Sequence, residues 1–245
     1  MIAFEALAKS YGAFHAVHPL TLTVRRGEVF GFLGPNGAGK TTTIRMLMGI
    51  LVPTGGRVLI DGLDGQSDAT EVKRRVGYLP DTPVFYDYLR GSEILQFVAE
   101  MHGYSRADAR SRSARLLDEF GLQEAAQDYA VNYSLGMKKR LGLACALIHD
   151  PAVLILDEPI NGLDPRAARD VQERLLAAAA SGVTIFVSTH LLDMAEKLCD
   201  RVGIIHHGLL VATGTLDEVR AQASASGSLE DVFLKITDAD SAAAA

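Results

Sequence analysis

The sequence predicts an α/β fold with a mainly parallel core sheet, an antiparallel β subdomain near the N-terminus, and an α-helical subdomain inserted at about residues 85–150. Three observations support this prediction. The first residues alternate in polarity, short fully apolar runs of strand length recur in both halves of the chain, and a long stretch between them has helical periodicity. With 245 residues, of which 48% are hydrophobic and 22% charged, the chain can bury a sizeable core.

The N-terminal part predicts β-structure that leads into a strand, a loop and a helix. Residues 2–5 and 20–24 alternate between large apolar and smaller or polar side chains, which is the period of a half-buried strand. A fully apolar strand at residues 29–33 precedes a glycine-rich loop, and residues 41–50 then have helical character. Two further short strands are predicted at residues 58–60 and 76–79.

Helical periodicity dominates the middle of the chain, and strands return after it. Ser92 is a suitable N-cap for a first helix, residues 114–120 predict a second, and a third begins near Ser134 and ends before Asp150. The elements predicted beyond this lobe are a strand at 153–156, a helix at 166–180, a strand at 183–188, and a hairpin of strands at 202–205 and 209–212.

The glycine-rich loop between the predicted strand and helix fits the phosphate-binding pattern G-x-x-x-x-G-K-T. Glycines let the backbone wrap closely around phosphates, and the following helix adds its positive N-terminal end. Lys40 would supply positive charge to the β- and γ-phosphates, and Thr41 would offer its hydroxyl to Mg²⁺. The core is therefore predicted to be of the P-loop NTPase type, with phosphate-binding residues Gly34, Asn36, Gly37, Ala38, Gly39, Lys40, Thr41 and Thr42.

A second element is the apolar strand at 153–156, which ends in two carboxylates, Asp157 and Glu158. In open α/β sheets, ligands bind at the carboxyl edge to which such a strand delivers its last residues. Asp157 would hold Mg²⁺, and Glu158 would polarise the attacking water as general base. In isolation this pattern could equally be a helix N-cap with a solvated neighbour. Together with the phosphate loop it predicts phosphoryl chemistry, which needs metal binding and water orientation at once.

A third motif, Tyr133-Ser134-Leu135-Gly136-Met137, precedes a basic run and a helix. With its spacing to Asp157, it resembles the signature motif of ABC-type ATPases, the nucleotide-binding subunits of ABC transporters. The other family motifs follow in the family's order from Tyr11 to His190, so the resemblance covers most of the chain. It implies ATP and Mg²⁺ as cofactors and hydrolysis of ATP to ADP and phosphate.

The resemblance also implies roles for residues outside the phosphate loop. Tyr11 would stack on adenine, although it could equally be a half-buried strand residue. The segment 161–164 is similar to the D-loop, and Asp164 would contribute to nucleotide binding. Residues 188–190 are similar to the H-loop, and His190 would contact the γ-phosphate. Lys40, Glu158 and His190 would then be the catalytic residues.

Ser134 and Gly136 have a separate implied role at the start of a helix. The hydroxyl of Ser134 and the nearby backbone N–H groups form an anion site, which the family uses to grip the γ-phosphate held by a second subunit. Without the neighbouring motifs, Ser134 would be read as a plain N-cap. The resemblance thus implies a second ATP-binding subunit, and we expect a homodimer that sandwiches two ATP molecules.

Three departures from the family pattern bear on the mechanism and on the type of ABC protein. Asp81 stands where the family often has Gln; it could still ligate Mg²⁺, but it adds negative charge beside phosphates. Leu135 and Met137 replace the commoner Gly and Gln of the signature. The signature, Asp81 and the segment 229–235 resemble the bacterial type-2 exporters, in which the ATPase is a separate polypeptide beside an integral-membrane permease.

The domain prediction follows from the extent of the motifs. We predict one ATPase domain over residues 1–220 and a C-terminal extension over residues 221–245 that is partly disordered. In that extension, residues 221–227 are rich in Ala and Ser, 229–236 could form a short amphipathic helix, and 238–245 offer little to bury.

Composition and motif spacing limit the alternatives. No apolar run approaches the roughly 20 residues of a spanning helix, and the N-terminus does not resemble a signal peptide. We therefore expect a cytoplasmic protein bound peripherally at the inner face of the membrane.

The rival interpretation is a soluble ABC ATPase of DNA repair or translation. Against it stand the short segment between Lys40 and Ser134, which leaves no room for a long coiled coil, the single cassette, and a net charge of −6, which predicts no nucleic-acid partner.

Overall fold

A computed structural model describes residues 1–222 of the chain. The predicted short helix at 229–236 and the predicted disorder at 238–245 lie outside the described residues. The strands are β1 Ile2–Tyr11, β2 Phe14–Val24, β3 Val29–Leu33, β4 Gly55–Ile60, β5 Leu63–Asp64, β6 Val76–Leu79, β7 Val153–Asp157, β8 Thr184–Thr189, β9 Arg201–His206 and β10 Leu209–Gly214.

The helices connect these strands and build the lobe predicted in the middle of the chain. Over residues 1–222 they are α1 Lys40–Leu47, α2 Ala69–Arg75, α3 Gly91–Met101, α4 Arg106–Glu119, α5 Leu135–Leu147, α6 Pro165–Ala180, α7 Leu192–Leu198 and α8 Leu216–Gln222. None of the helices in this part of the chain has both the length and the apolar character needed to cross a bilayer.

The described strands form the two sheets that the sequence predicts. One is antiparallel, in the order β2-β1-β4-β5, and the other has the order β10-β9-β3-β8-β7-β6. In the second sheet β3 pairs in parallel with β8 and β9, β7 pairs in parallel with β6 and β8, and β10 returns antiparallel beside β9. Strands β3 and β7 are buried along their whole length, as apolar strands covered on both faces of a sheet must be.

Four phenylalanine rings join the two sheets. Phe186 of β8 lies with its ring centroid 5.8 Å from Phe4 of β1, 5.9 Å from Phe30 and 5.4 Å from Phe32 of β3. All four side chains are buried in the core cluster that also contains α1. The antiparallel subdomain and the parallel sheet are therefore held together by a shared aromatic core.

Helix α5 packs directly on strand β6 because Gly77 has no side chain. A Cβ at this position would collide with the carbonyl oxygen of Ala146. The close approach fixes the inserted helical lobe against the edge of the parallel sheet.

Some element bounds differ from the prediction. Helix α4 begins at Arg106 instead of residue 114, because Ser105 caps it: its Oγ accepts a hydrogen bond of 3.2 Å from the backbone N–H of Asp108. Helices α2 and α7 were not predicted, since each is too short for a clear periodic signal. Helix α8, which was not predicted either, extends to Gln222, the last described residue, and so crosses the predicted domain boundary at residue 220.

We expect Phe186→Ala to destabilise the chain by about 3–5 kcal/mol, because a large buried ring would leave a cavity between the two sheets. Urea unfolding followed by circular dichroism measures this cost. Phe97→Ala, at a ring that is 48% exposed, is the matched control and should cost less than about 1 kcal/mol. Equal costs for the two variants would contradict a shared aromatic core.

Candidate nucleotide-binding site

Three adjacent strands end at the same edge of the parallel sheet. Strands β3, β8 and β7 are neighbours that run in one direction, so the residues that follow them meet at one place. Gly34 follows β3, Glu158 follows β7 and His190 follows β8. The sheet thereby brings together the three motifs that the sequence separates.

The glycine-rich loop depends on backbone conformations that other residues disfavour. Gly37 has φ +82° and Gly39 has φ +109°. A Cβ on Gly39 would stand 2.6 Å from the carbonyl oxygen of Ala16, and one on Gly34 would collide with that of Ile205. The loop therefore curls tightly between β3 and α1, with Ala38 buried beneath it.

The ammonium group of Lys40 is buried in this loop. Its Nζ donates hydrogen bonds to the carbonyl oxygens of Gly34 at 2.7 Å and Pro35 at 3.2 Å. It also lies 3.5 Å from Oε1 of Glu158. A positive charge is thus held where the loop closes, next to the carboxylate that follows β7.

Asp157 lies at the floor of the site among hydroxyl groups. Thr41 Oγ1 donates to Asp157 Oδ2 at 3.0 Å, and Ser188 Oγ donates to Asp157 Oδ1. Burial raises the pKa of the Asp157 carboxyl, and the hydrogen bonds from Ser188 and Thr41 oppose that rise. The bond from Ser188 was not foreseen, since the sequence analysis assigned this residue only to the H-loop pattern.

Glu158 is held in a backbone conformation that is uncommon for its residue type. Its φ is +48°, and its N–H donates to the carbonyl oxygen of Ser188 at 3.0 Å. Its Oε1 hydrogen-bonds with His190 Nδ1 at 2.9 Å, and His190 N donates to Oε2 at 3.4 Å. The carboxylate therefore lies between an imidazole and the Lys40 ammonium.

A cavity of about 430 Å³ opens over these groups. Tyr11 borders it with a side chain that is 53% exposed, as does Phe14, which pairs with Tyr11 across the β1–β2 turn. Phe14 was missed, and the only sequence signal for it is its place just after Tyr11 and the Gly12 turn. The predicted residues that line the cavity are Tyr11, Asn36, Gly37, Gly39, Lys40, Thr41, Thr42, Asp81 and Glu158.

Seven predicted residues are not among those that line this cavity. Gly34, Ala38, Asp157 and His190 adjoin or hydrogen-bond to residues that line it, whereas Ser134, Gly136 and Asp164 lie at two helix starts. Ser134 caps α5, where its Oγ accepts a hydrogen bond of 3.2 Å from Met137 N, and Gly136 lies in the first turn. Asp164 caps α6, where its Oδ1 accepts from the N–H groups of Arg166 and Ala167. A Cβ on Gly136 would meet Leu163 at 3.5 Å, so these two helix starts lie side by side.

Lys139 is a buried cation that the sequence analysis treated only as part of a basic run. Its side chain extends from α5 into the core, where Nζ donates to the carbonyl oxygen of Glu158 at 2.6 Å. Oδ1 of Asp81, at the rim of the cavity, lies 3.6 Å from the same Nζ. Burial lowers the pKa of Lys139, and Asp81 opposes that fall.

The residues around the cavity fit a triphosphate and one hard cation. The loop supplies backbone N–H groups, the buried Lys40 and the start of α1, which suit phosphates. The oxygens of Thr41 and Asp157 suit Mg²⁺, which commonly takes one or two protein ligands and completes its shell with water and phosphate oxygens. Within residues 1–222 there is no cluster of three or more His, Cys, Asp or Glu side chains that could hold a metal without such additional ligands.

A family model described as "ABC transporter" matches residues 17–161. The daunorubicin/doxorubicin resistance ATP-binding protein DrrA of Streptomyces peucetius is 41% identical over 220 residues, which cover 90% of this chain and 67% of DrrA. YbhF of Escherichia coli, named as a probable multidrug ABC transporter ATP-binding protein, is 38% identical over 224 residues, or 91% of this chain and 39% of YbhF. The chain thus spans less than half the length of that relative.

Solved structures share the same architecture. The structure of an ATP-binding subunit of an ABC transporter superposes with a TM-score of 0.90 at 35% identity and covers 97% of this chain and 99% of that one. A dimeric post-hydrolysis structure of the ATP-binding cassette MJ0796, bound to ADP and Pi, has a TM-score of 0.81 at 22% identity and covers 88% and 99%. At that identity, the second likeness concerns the fold alone.

We expect Asp157→Asn to raise the melting temperature of the nucleotide-free chain by a few degrees at pH 7 in a chelator. A carboxyl group whose pKa is higher in the folded chain contributes stability that is complete below its unfolded value of 3.8 and is lost as the pH rises through the folded pKa. At pH 7 the wild type therefore bears the cost of a buried carboxylate that the amide avoids. Differential scanning calorimetry at several pH values measures both effects.

The control for this variant is Asp118→Asn, at an exposed position, which should leave the melting temperature unchanged. A melting temperature of Asp157→Asn equal to or below that of the wild type would mean that the two hydroxyl donors fully offset the burial of the charge.

Proposed function

We propose that this chain, which belongs to the ABC transporter family, is the ATP-binding and ATP-hydrolysing motor subunit of a transporter. The observation that carries the proposal is the contact of Glu158 with both Lys40 and His190, beside a cavity that Glu158, Lys40 and the glycine-rich loop line. A phosphate cradle, a carboxylate base and an imidazole in contact are the groups that hydrolysis of a γ-phosphate needs.

In the proposed reaction, Glu158 accepts a proton from the water that attacks the γ-phosphate. Its hydrogen bond with His190 orients the carboxylate, and the fixed backbone at Glu158 limits its movement. Lys40 stabilises negative charge on the β- and γ-phosphates. Thr41 and Asp157 would hold Mg²⁺, which when bound neutralises phosphate charge. Tyr11 would stack on the adenine at the exposed side of the cavity.

Ser134, Gly136 and Asp164 are proposed to act on the nucleotide of a second, identical subunit. Their position outside the chain's own cavity supports this division, because an anion site at the start of α5 has no phosphate of its own chain to bind. ATP would then join two copies head to tail, and hydrolysis would release them, which is a ligand-driven shift between two states.

An exposed apolar surface supports docking of an integral-membrane permease. Tyr86 and Tyr88 are 70% and 82% exposed, and with Leu89 and Phe97 they line a groove of about 480 Å³ between the Asp81 loop and α3. Patches of this kind mark interaction sites. We propose that a short cytoplasmic helix of the permease binds there, which would place the chain at the inner face of the membrane.

Export is the proposed direction of transport. DrrA is named for daunorubicin/doxorubicin resistance and YbhF as a probable multidrug transporter subunit, and removal of a drug from the cell fits both names. None of these relatives favours the alternative role in DNA repair or translation.

We expect Glu158→Gln to lower kcat for ATP about 10²–10⁴-fold, because the amide cannot accept the proton of the attacking water. ATP binding should persist, and a dimer should accumulate with ATP. Phosphate release and size-exclusion chromatography measure these two results. Glu173→Gln on the exposed face of α6 is the control and should leave turnover unchanged. Wild-type turnover in Glu158→Gln would sink the assignment of the base.

We expect a cysteine introduced by Tyr86→Cys to crosslink to a cytoplasmic loop of the cognate permease in membranes. The natural Cys145 and Cys199 give little background, because burial raises the pKa of both thiols to about 12. Ser67→Cys, an exposed position in the antiparallel subdomain, is the control that should not crosslink. Equal crosslinking at both positions, or none at Tyr86→Cys, would contradict the proposed docking surface.

A further inference from the structure

A buried lysine connects α5 with two residues that line the cavity. Because α5 contains most of the signature-like segment at residues 133–137, it is called the signature helix below. Lys139 is 1% exposed, and its Nζ lies 2.6 Å from the carbonyl oxygen of Glu158 and 3.6 Å from Oδ1 of Asp81. Glu158 and Asp81 both border the cavity, whereas Lys139 belongs to α5, the helix that Ser134 caps. No motif of the sequence analysis accounts for a cation at this place.

The surroundings make the charge of Lys139 dependent on Asp81. An ammonium group taken out of water is costly unless it is paired and hydrogen-bonded. A carbonyl oxygen satisfies one of its donors but supplies no counter-charge, which Asp81 supplies from the cavity rim. Asp81 itself is only half-buried, since its side chain is 47% exposed. The pair therefore couples a buried residue to one that contacts the nucleotide cavity.

The second contact of Lys139 fixes the main chain of the proposed general base. Glu158 has a φ of +48°, a conformation that a residue with a side chain adopts at a cost. Its N–H is held by the carbonyl oxygen of Ser188, and its carbonyl oxygen is held by Lys139. Both polar groups of this residue's backbone are thus bonded. The N–H is bonded to strand β8, and the carbonyl oxygen accepts from Lys139 of α5 and, at 3.2 Å, from the N–H of Asn161.

We propose that Lys139 is a positioning residue that uses its ion pair with Asp81 to hold the backbone of Glu158 and to link the signature helix to the hydrolytic site. The proposal rests on the proposed ATP hydrolysis. Because the contact between Lys139 and Glu158 is already made in the single chain, a shift of α5 on contact with a partner subunit would be passed through Nζ to the backbone of Glu158. Asp81, which stands where the family often has Gln, serves here as the counter-ion of Lys139.

The opposing account is that Asp81 acts alone as a ligand of Mg²⁺. The two accounts predict opposite signs for the effect of Asp81→Asn on stability in a chelator, without nucleotide. If Asp81 balances Lys139, its removal leaves a buried cation unpaired and lowers the melting temperature. If Asp81 only adds negative charge beside Asp157 and Glu158, its removal relieves repulsion and raises the melting temperature or leaves it unchanged.

The first experiment is therefore a thermal melt of the full chain as wild type, Asp81→Asn and the control Glu173→Gln, which loses an exposed pair on α6. We expect a loss of several degrees for Asp81→Asn and no change for the control. A melting temperature of Asp81→Asn at or above the wild-type value overturns the proposal. This readout needs no hydrolysis, so it stands apart from any failure of the proposed function.

The second experiment compares ATP turnover in Asp81→Asn, Lys139→Gln and the double variant, with folding checked by the melt. Each single change should lower kcat about 10²-fold with KM for ATP changed less than about threefold, because misplacing a base affects chemistry more than binding. The double variant restores neutrality and keeps an amide donor at position 139, so its kcat should exceed that of either single variant. Two outcomes would overturn the coupling. One is a double variant whose loss of kcat is the product of the two single losses, and the other is wild-type kcat in Lys139→Gln.

Discussion

The parallel adjacency of β3, β8 and β7 is the constraint on which the site depends. The glycine-rich loop, the Asp157-Glu158 pair and His190 lie far apart in the sequence, and they meet because these three strands end at one edge of the sheet. Parallel pairing keeps the register, with Asp157 opposite Ser188 and Leu33 opposite Thr189. Strand burial and site geometry therefore have a common cause, since the apolar strands that form the core also align the polar residues that follow them.

Electrostatic balance is the second requirement of the site, because carboxylates outnumber the cations that face them. Glu158 and Asp81 line the cavity, and Asp157 contacts Thr41, which also lines it; Lys40 and Lys139 supply positive charge beside them. Asp157 is the carboxylate whose hydrogen-bond donors are neutral, and its pKa is raised by burial. That excess of negative charge suits a site proposed to hold Mg²⁺, because among residues 1–222 the partners of the Asp157 carboxylate are hydroxyl groups and not a cation.

Local sequence patterns predicted much of the fold but not the contacts that join its parts. The buried strands β3, β6 and β7 and the start of α5 were predicted close to their observed bounds, because burial on both faces and a capping serine leave signals within a few residues. The early start of α4 was missed although Ser105 caps it, and the short α7 lacked such signals. For the site, the pattern around the phosphate loop identified most residues that line the cavity. Phe14 and Lys139 were not predicted, since their roles arise only when β2 and α5 are placed beside the cavity.

The position of Lys139 bears on how one chain could carry both a nucleotide cavity of its own and an anion site for the nucleotide of a second subunit. Ser134 and Gly136 at the start of α5 do not line the chain's own cavity, yet the same helix delivers an ammonium group to the backbone of Glu158. Gly77 lets α5 approach the sheet closely, so a movement of the helix cannot be absorbed by loose packing beneath it. If Ser134 and Gly136 bind a partner's nucleotide as proposed, that contact would be transmitted through one rigid helix to the proposed base. A partner's contact with Ser134 and Gly136 would then alter the position of the proposed base, which Lys139 already holds in the single chain.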